Sequence, residues 1–283
     1  LTKGVDSALA INQSLSAFKD KLAGIQGIAS SKKYFMSPVF TKSSASFTNE
    51  GYHGGWGLTS KNGFSAGVSF NSVENHDRYT LSSNESTIIT GYAGSNFGLG
   101  LKLTLLEEDG NLLGSSPGGP FGVDSSETLI GDFGFHINMK NTWSFVGKYK
   151  QSLTDVNESI HSFLGNFTQI RGDSWGIGLI GHNVMSHMDI FGIAMSQPFR
   201  TRNGSVDISV PKRSTQSSQT RFQTKKTDLV PNGRELSFEI FYKRLLSTRS
   251  SFTTYLIHRD QPMHRRSNRT KTTVFAVWKI SFY

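Results

Sequence analysis

Strict period-two alternation, sustained over runs longer than ordinary globular strands, is the feature that most constrains this chain. In GFSAGVSF, Phe64, Ala66, Val68 and Phe70 share one face while Ser65, Gly67 and Ser69 share the other. In FGLGLKLTLL, Phe97, Leu99, Leu101, Leu103 and Leu105 oppose Gly98, Gly100, Lys102 and Thr104. The pattern returns at 128–137, where Leu129, Phe133, Phe135 and Ile137 alternate with Thr128, Asp132 and His136, and at 143–150, where Trp143, Phe145 and Tyr149 alternate with Ser144, Lys148 and Lys150. Successive side chains of a strand point to opposite faces, so each run has one apolar face and one that is polar or glycine-rich. Runs of ~10 residues exceed the ~5–6 of a globular strand and match a tilted strand crossing a bilayer.

The connections alternate in length. Short ones fall at Ser60 to Gly63, Gly94 to Asn96, Asn138 to Asn141, His182 to His187 and Leu246 to Ser250, and long ones at 72–85, 108–124, 153–171, 200–232 and 260–271. Turns short at one end and loops long at the other are the layout of a bacterial outer-membrane barrel, with the short side in the periplasm. The parity predicts an all-β fold, an antiparallel transmembrane barrel of about twelve strands, an even number as single-chain bacterial barrels have. They lie near 36–48, 52–60, 62–71, 86–95, 97–107, 125–137, 142–152, 172–183, 188–199, 233–245, 251–260 and 272–283. Within the 200–232 loop, SVDISV and TRFQTKK have the makings of an external hairpin. An apolar fraction of 36% and the lack of any run of ~18 apolar residues exclude transmembrane helices, but a barrel strand shows lipid only every second side chain and escapes that test.

Before the strands, residues 5–25 read as an amphipathic helix. Ala8, Ile11, Leu15, Phe18, Leu22 and Ile25 fall at three-four spacing, Asp6 is placed to cap and Gly27 to stop it. The chain thus divides into a linker with this helix, residues 1–34, and a barrel, residues 35–283. Starting at Leu1 with neither Met nor an apolar leader, it reads as a processed fragment. The chain has no cysteine, which forbids disulfides and suits passage through an oxidising compartment. Its net charge of +9 comes from scattered basic residues without a recognition motif, so no nucleic-acid partner is expected.

Four stretches resemble the C-terminal translocator barrels of autotransporters, the type V secretion proteins, specifically those following subtilisin-like serine protease passengers. They are LEEDGNLLGSSPGGPFGVDSSETLIGDFGF at 106–135, MSQPFRTRNGSVDISVP at 195–211, LVPNGRELSFEIFY at 229–242 and HRDQPMH at 258–264. The resemblance spans nearly the whole chain and implies a helix threaded through the lumen, export of an upstream passenger to the cell surface, and a pore plugged afterwards. It further implies an integral outer-membrane location, contact with lipid and lipopolysaccharide, insertion by the barrel-assembly machinery with periplasmic chaperones, and a monomer. The family ends on an aromatic residue after alternating apolar ones. Val274, Ala276, Trp278, Ile280 and Phe282 alternate here, and Tyr283 stands one residue beyond the frame.

The faces opposite the apolar stripes should line the lumen, which places Lys102, Asp132, His136, Lys148, Lys150, Glu235, Glu239 and Lys243 inside. Asp132 and His136 are four residues apart on a strand, more than ~12 Å, too far for one metal or one proton relay. No cofactor, metal or catalytic residue is expected, and any protease activity would belong to the passenger. Two alternatives remain: a porin or channel, and an outer-membrane phospholipase. The second would need a His-x-Ser-Asn-Gly stretch that His161-Ser162-Phe163 and His187-Met188-Asp189 do not supply.

Overall fold

The computed structural model describes residues 4–11, 16–24, 34–41, 51–75, 81–115, 117–139, 142–212 and 221–281. In chain order the elements are β1 (Gly4–Ile11), α1 (Ser16–Leu22), α2 (Pro38–Thr41), β2 (Tyr52–Thr59), β3 (Phe64–Asn75), β4 (Leu81–Ala93) and β5 (Phe97–Asp109). They continue as β6 (Val123–Met139), β7 (Trp143–Glu158), β8 (Leu164–Gly165), β9 (Ile170–His182), β10 (Asp189–Asn203), β11 (Ser205–Lys212), β12 (Arg221–Asp228), β13 (Leu236–Ser247), β14 (Ser250–Asp260) and β15 (Lys271–Ile280). Twelve strands form one antiparallel sheet in the order β1-β2-β3-β4-β5-β6-β7-β9-β10-β13-β14-β15. The other three, β12-β11-β8, form a small sheet on the long-loop side, and β11 with β12 is the hairpin expected in the 200–232 loop.

The wall has the inverted polarity of a membrane barrel. Phe64, Leu99, Leu101, Phe133, Phe238 and Ile240 are exposed on its outside, while Lys102, Thr128, Asp132 and Glu239 are buried within. No helix among the described residues is long and apolar enough to cross a membrane, so the strands must do so. Strands β6 and β7, at 17 and 16 residues, are longer than the ~9–11 needed to cross, and their excess lies at the long-loop end. There the outward residues change from Leu129 to Glu127 and from Leu153 to Asp155, which marks the upper limit of the lipid band. Turns of few residues join β2 to β3, β4 to β5, β6 to β7, β9 to β10 and β13 to β14, as the parity predicts. Among the described residues β1 and β15 are the two ends of the sheet and do not pair with one another.

The N-terminal reading needs correction. Residues 4–11 are not helical; they pair antiparallel with β2 from Gly4 opposite Thr59 to Ile11 opposite Tyr52. GVDSALAI also alternates, with Val5, Ser7, Leu9 and Ile11 against Asp6, Ala8 and Ala10, and so short a segment fits either period. The sheet decides: β1 covers the ladder groups of β2, which could not stay unpaired in lipid. Helix remains only in α1, which ends at Ala23 and Gly24, the latter at φ +65°. The strand expected at 36–48 is also absent from its start, since residues 38–41 make the helical turn α2, and 42–48 lie outside the described residues. The count of twelve survives because β1 takes that strand's place.

Candidate functional site

Ile11 and Tyr52 are register partners at the long-loop end of the wall, and residues 16–24 and 34–41, which lie between them in sequence, sit inside the barrel. One leg runs down the β2–β5 side. Gly55 and Gly57 of β2 and Gly67 of β3 leave room for Phe18 and Leu22, where any side chain on the wall would collide with them. Lower down, Gly91 of β4 lies against the backbone of Ala23 and Gly24, and Ser65 donates from its hydroxyl to the Leu22 carbonyl. The second leg lies on the opposite wall. Phe35 and Phe40 are fully buried, their ring centroids 4.9 Å apart, over Gly176 and Gly178 of β9. Val146, Ile180 and Phe241 complete this apolar contact, with Tyr34 stacked on Phe241 at 5.6 Å. Because opposite walls grip the same segment, the sheet curls around it.

Each leg has a polar anchor. On the first, Lys19 forms an ion pair with Glu85 of β4, and Asp20 pairs with Lys102 of β5 at 2.5 Å. Lys102 is the register partner of Asp132, Asp132 is that of Lys150, and Lys148 lies 3.7 Å from Asp132. The lumen wall of β4–β7 is therefore a belt of alternating charge into which α1 inserts one cation and one anion. Buried charges are tolerated when so paired, and removing one partner of such a pair costs about 3–5 kcal/mol. On the second leg Glu239 of β13 accepts from the backbone N–H groups of Met36 (2.7 Å) and Ser37 (3.0 Å). The Ser37 and Ser196 hydroxyls meet at 2.7 Å, and the Lys243 ammonium lies 5.6 Å from the Tyr34 ring centre.

Of the residues expected inside, Lys102, Asp132, His136, Lys148 and Glu239 are buried on inward faces, and Lys150 and Lys243 are half-buried there. Glu235 is buried too, but in the rim described below rather than over the lumen. Of the expected pore-helix residues only Phe18 and Leu22 lie on α1; Ala8 and Ile11 belong to β1, and Leu15 and Ile25 lie outside the described residues. Val274, Ala276, Trp278 and Ile280 stand exposed along the outer face of β15, while Phe282 and Tyr283 lie outside the described residues. Sequence reasoning missed Lys19, Asp20 and Glu85 as a docking set, and missed Phe35 and Phe40 as lumen residues. Adjacent opposite charges on the polar face of α1 were the available signal for the first.

Three of the stretches carrying the family resemblance converge on one hydrogen-bonded rim at the long-loop end. Arg200 donates to the carbonyls of Gly233 (2.9 Å) and Pro231 (3.0 Å), and Arg234 donates to the Gln197 side chain at 2.6 Å. His264 Nδ1 accepts the Glu235 N–H at 2.9 Å, and its Nε2 donates to the Phe199 carbonyl at 3.0 Å. This geometry needs the neutral ring protonated at Nε2. Burial, the largest influence, holds the His264 pKa below its ordinary 6.5, as does nearby Arg200, against the opposing pull of the Phe199 carbonyl, Glu235 and Asp173. For a histidine with a depressed folded pKa, the unfolded state binds the proton first, so the stability it lends is present above about 6.5 and falls as pH drops below that value. Protection of the Glu235 and Gly233 amides from hydrogen exchange, taken relative to the intrinsic rate at each pH, should therefore fall on acidification from pH 7.5 to 5.5. In His264→Gln the pH dependence of that protection should vanish; its persistence would remove His264 as the cause.

No protein-family model and no curated protein matches the chain. Among solved structures it is similar to the Pseudomonas putida toluene transporter TodX, at 10% identity and a TM-score of 0.40, over 80% of this chain and 72% of that one. It is also similar to a Pseudomonas aeruginosa FadL homologue, at 9% identity and a TM-score of 0.29, over 81% and 75% of the two chains. Likenesses this distant say nothing about what the chain does. The register and the burial of the wall define its class: it is an integral β-barrel of the bacterial outer membrane.

Proposed function

We propose that the chain is an occluded channel of the outer membrane, a barrel closed by its own infolded segment, and that solute passes when that segment shifts. The observation that carries this is the docking of residues 16–24 and 34–41 on two walls of the barrel. In sequence they lie between the adjacent wall strands β1 and β2, and they are held on one wall by Lys19 and Asp20 and on the other by Glu239. An infolded loop of this kind narrows a pore without leaving it.

The second reading is the autotransporter translocator, favoured by the four resembling stretches and by three of them meeting in the rim. It conflicts with the direction of β1. Gly4 lies opposite Thr59, beside the short Ser60 to Gly63 turn, so the described chain begins at the periplasmic end. A passenger ahead of it would stand on the wrong side of the membrane. An epitope fused ahead of Leu1 in the full chain, expressed in a Gram-negative host, separates the two. Under the channel reading it is reached by antibody only after the outer membrane is permeabilised, and labelling of intact cells would favour the translocator.

A further inference from the structure

The loop between β14 and β15 carries Arg265, Arg266 and Arg269, all exposed and, among the described residues, none within ion-pair distance of a carboxylate. Nearby carboxylates are engaged elsewhere. Glu235 accepts from the Met263 N–H at 2.7 Å, and Asp260 accepts from the Thr270 hydroxyl at 3.4 Å. The loop is also held in shape. Arg266 N–H donates to the Asn232 side chain (3.1 Å), Asn268 N–H donates to the Arg265 carbonyl (3.0 Å), and the Asn268 amide donates to the Pro262 carbonyl (2.7 Å). Gly233 packs so closely on Arg265 and Arg266 that a Cβ there would fall 2.6 Å from the Arg266 nitrogen. The rim knot thus fixes a cluster of cations that would otherwise repel one another.

Its height is set by the wall. Leu256 and Val274 are register partners and both are exposed on the lipid face, while Lys271 lies three residues further up β15. At ~3.3 Å per residue along a strand tilted by ~35–45°, the loop therefore starts about 7–8 Å above the last lipid-facing apolar pair, within reach of the headgroup layer. On the far side of the barrel the same height is acidic: Glu107 is the partner of Glu127, and Glu127 that of Asp155, all exposed. One flank therefore attracts phosphate and the other repels it.

From this placement we infer that the β14–β15 loop, with Arg265, Arg266 and Arg269, is a binding site for the phosphate groups of lipopolysaccharide in the outer leaflet. The guanidiniums make charge-assisted, bidentate contacts to phosphate oxygens, which lysine alone does less specifically. The site does not depend on whether the lumen conducts. The test uses the full chain refolded in detergent, with native mass spectrometry against bisphosphorylated lipid A, its dephosphorylated form, and inorganic phosphate. The intact chain should retain bisphosphorylated lipid A and lose it on dephosphorylation. Arg265→Gln/Arg266→Gln/Arg269→Gln should weaken retention about 100-fold, at the usual gain per basic residue near an anionic lipid surface. Glu107→Gln/Glu127→Gln should not weaken it. If the triple variant does not fold, as judged by heat-modifiable migration, Arg269→Gln alone should still give about a fivefold loss. Equal retention of the dephosphorylated lipid, full displacement by millimolar inorganic phosphate, or unchanged retention by a folded arginine variant would each overturn the assignment.

Discussion

A chain in which residues 12–51 are replaced by an Asn-Gly turn should insert normally and conduct as an open pore. Ile11 and Tyr52 are already opposite one another, and a two-residue turn of the type Asn-Gly favours joins antiparallel strands in that position without moving either. The wall keeps all twelve strands, since β1 is retained. What leaves is the material between the walls. An α-helix with its side chains is ~10–12 Å across and barrels of more than eight strands have lumens that wall side chains do not fill, so single-channel conductance should rise roughly tenfold or more. Permeability of host cells to bulky antibiotics should rise with it. Planar-bilayer recording is the direct check, and a variant as silent as the intact chain would mean that the segment is not what closes the pore. Deleting residues 1–30 is a different experiment, because it removes β1 and uncovers the edge of β2.

The barrel could be read from the chain because a strand in lipid is written locally. Its two faces meet opposite solvents, so Leu101 and Lys102 announce their directions without any knowledge of a partner, and the turns announce themselves by glycine and asparagine. The external hairpin of β11 and β12 was legible for the same reason. Residues inside the lumen obey no such rule. Phe35 and Phe40 are as buried as any core residue, yet the segment around them has no periodicity, and their partners on β9 and β13 lie more than a hundred positions away in sequence. Gly4–Ile11 failed for a related reason: eight residues fit two periods, and the choice belongs to the neighbouring strand. The inward position of Lys102 was legible, but its pairing with Asp20 was not, since charge complementarity across a lumen depends on how deep α1 is set.

Adjacent residues on β5 should respond to substitution in opposite ways. Leu101 is 40% exposed on the lipid face, and Lys102 is 2% exposed inside. Leu101→Arg places a cation in hydrocarbon at a cost of about 2–4 kcal/mol near the bilayer midplane, so the yield of heat-modifiable, membrane-inserted protein should collapse. Lys102→Met removes the ion-pair partner that β5 offers Asp20, a loss of about 3–5 kcal/mol if α1 stays docked. The wall is not asked to bear that loss, because α1 can undock and expose Asp20 to water in the lumen. Lys102→Met should therefore insert nearly as well as the parent but show frequent open events in bilayer recordings. Adding Asp20→Asn removes the other charge of the pair and should restore the quiet baseline, since an apolar or neutral replacement of a whole buried pair is often well tolerated. Parallel behaviour of Leu101→Arg and Lys102→Met in insertion would contradict the strand register, and a Lys102→Met channel that stays closed would show that the Asp20 pair does not hold α1 in place.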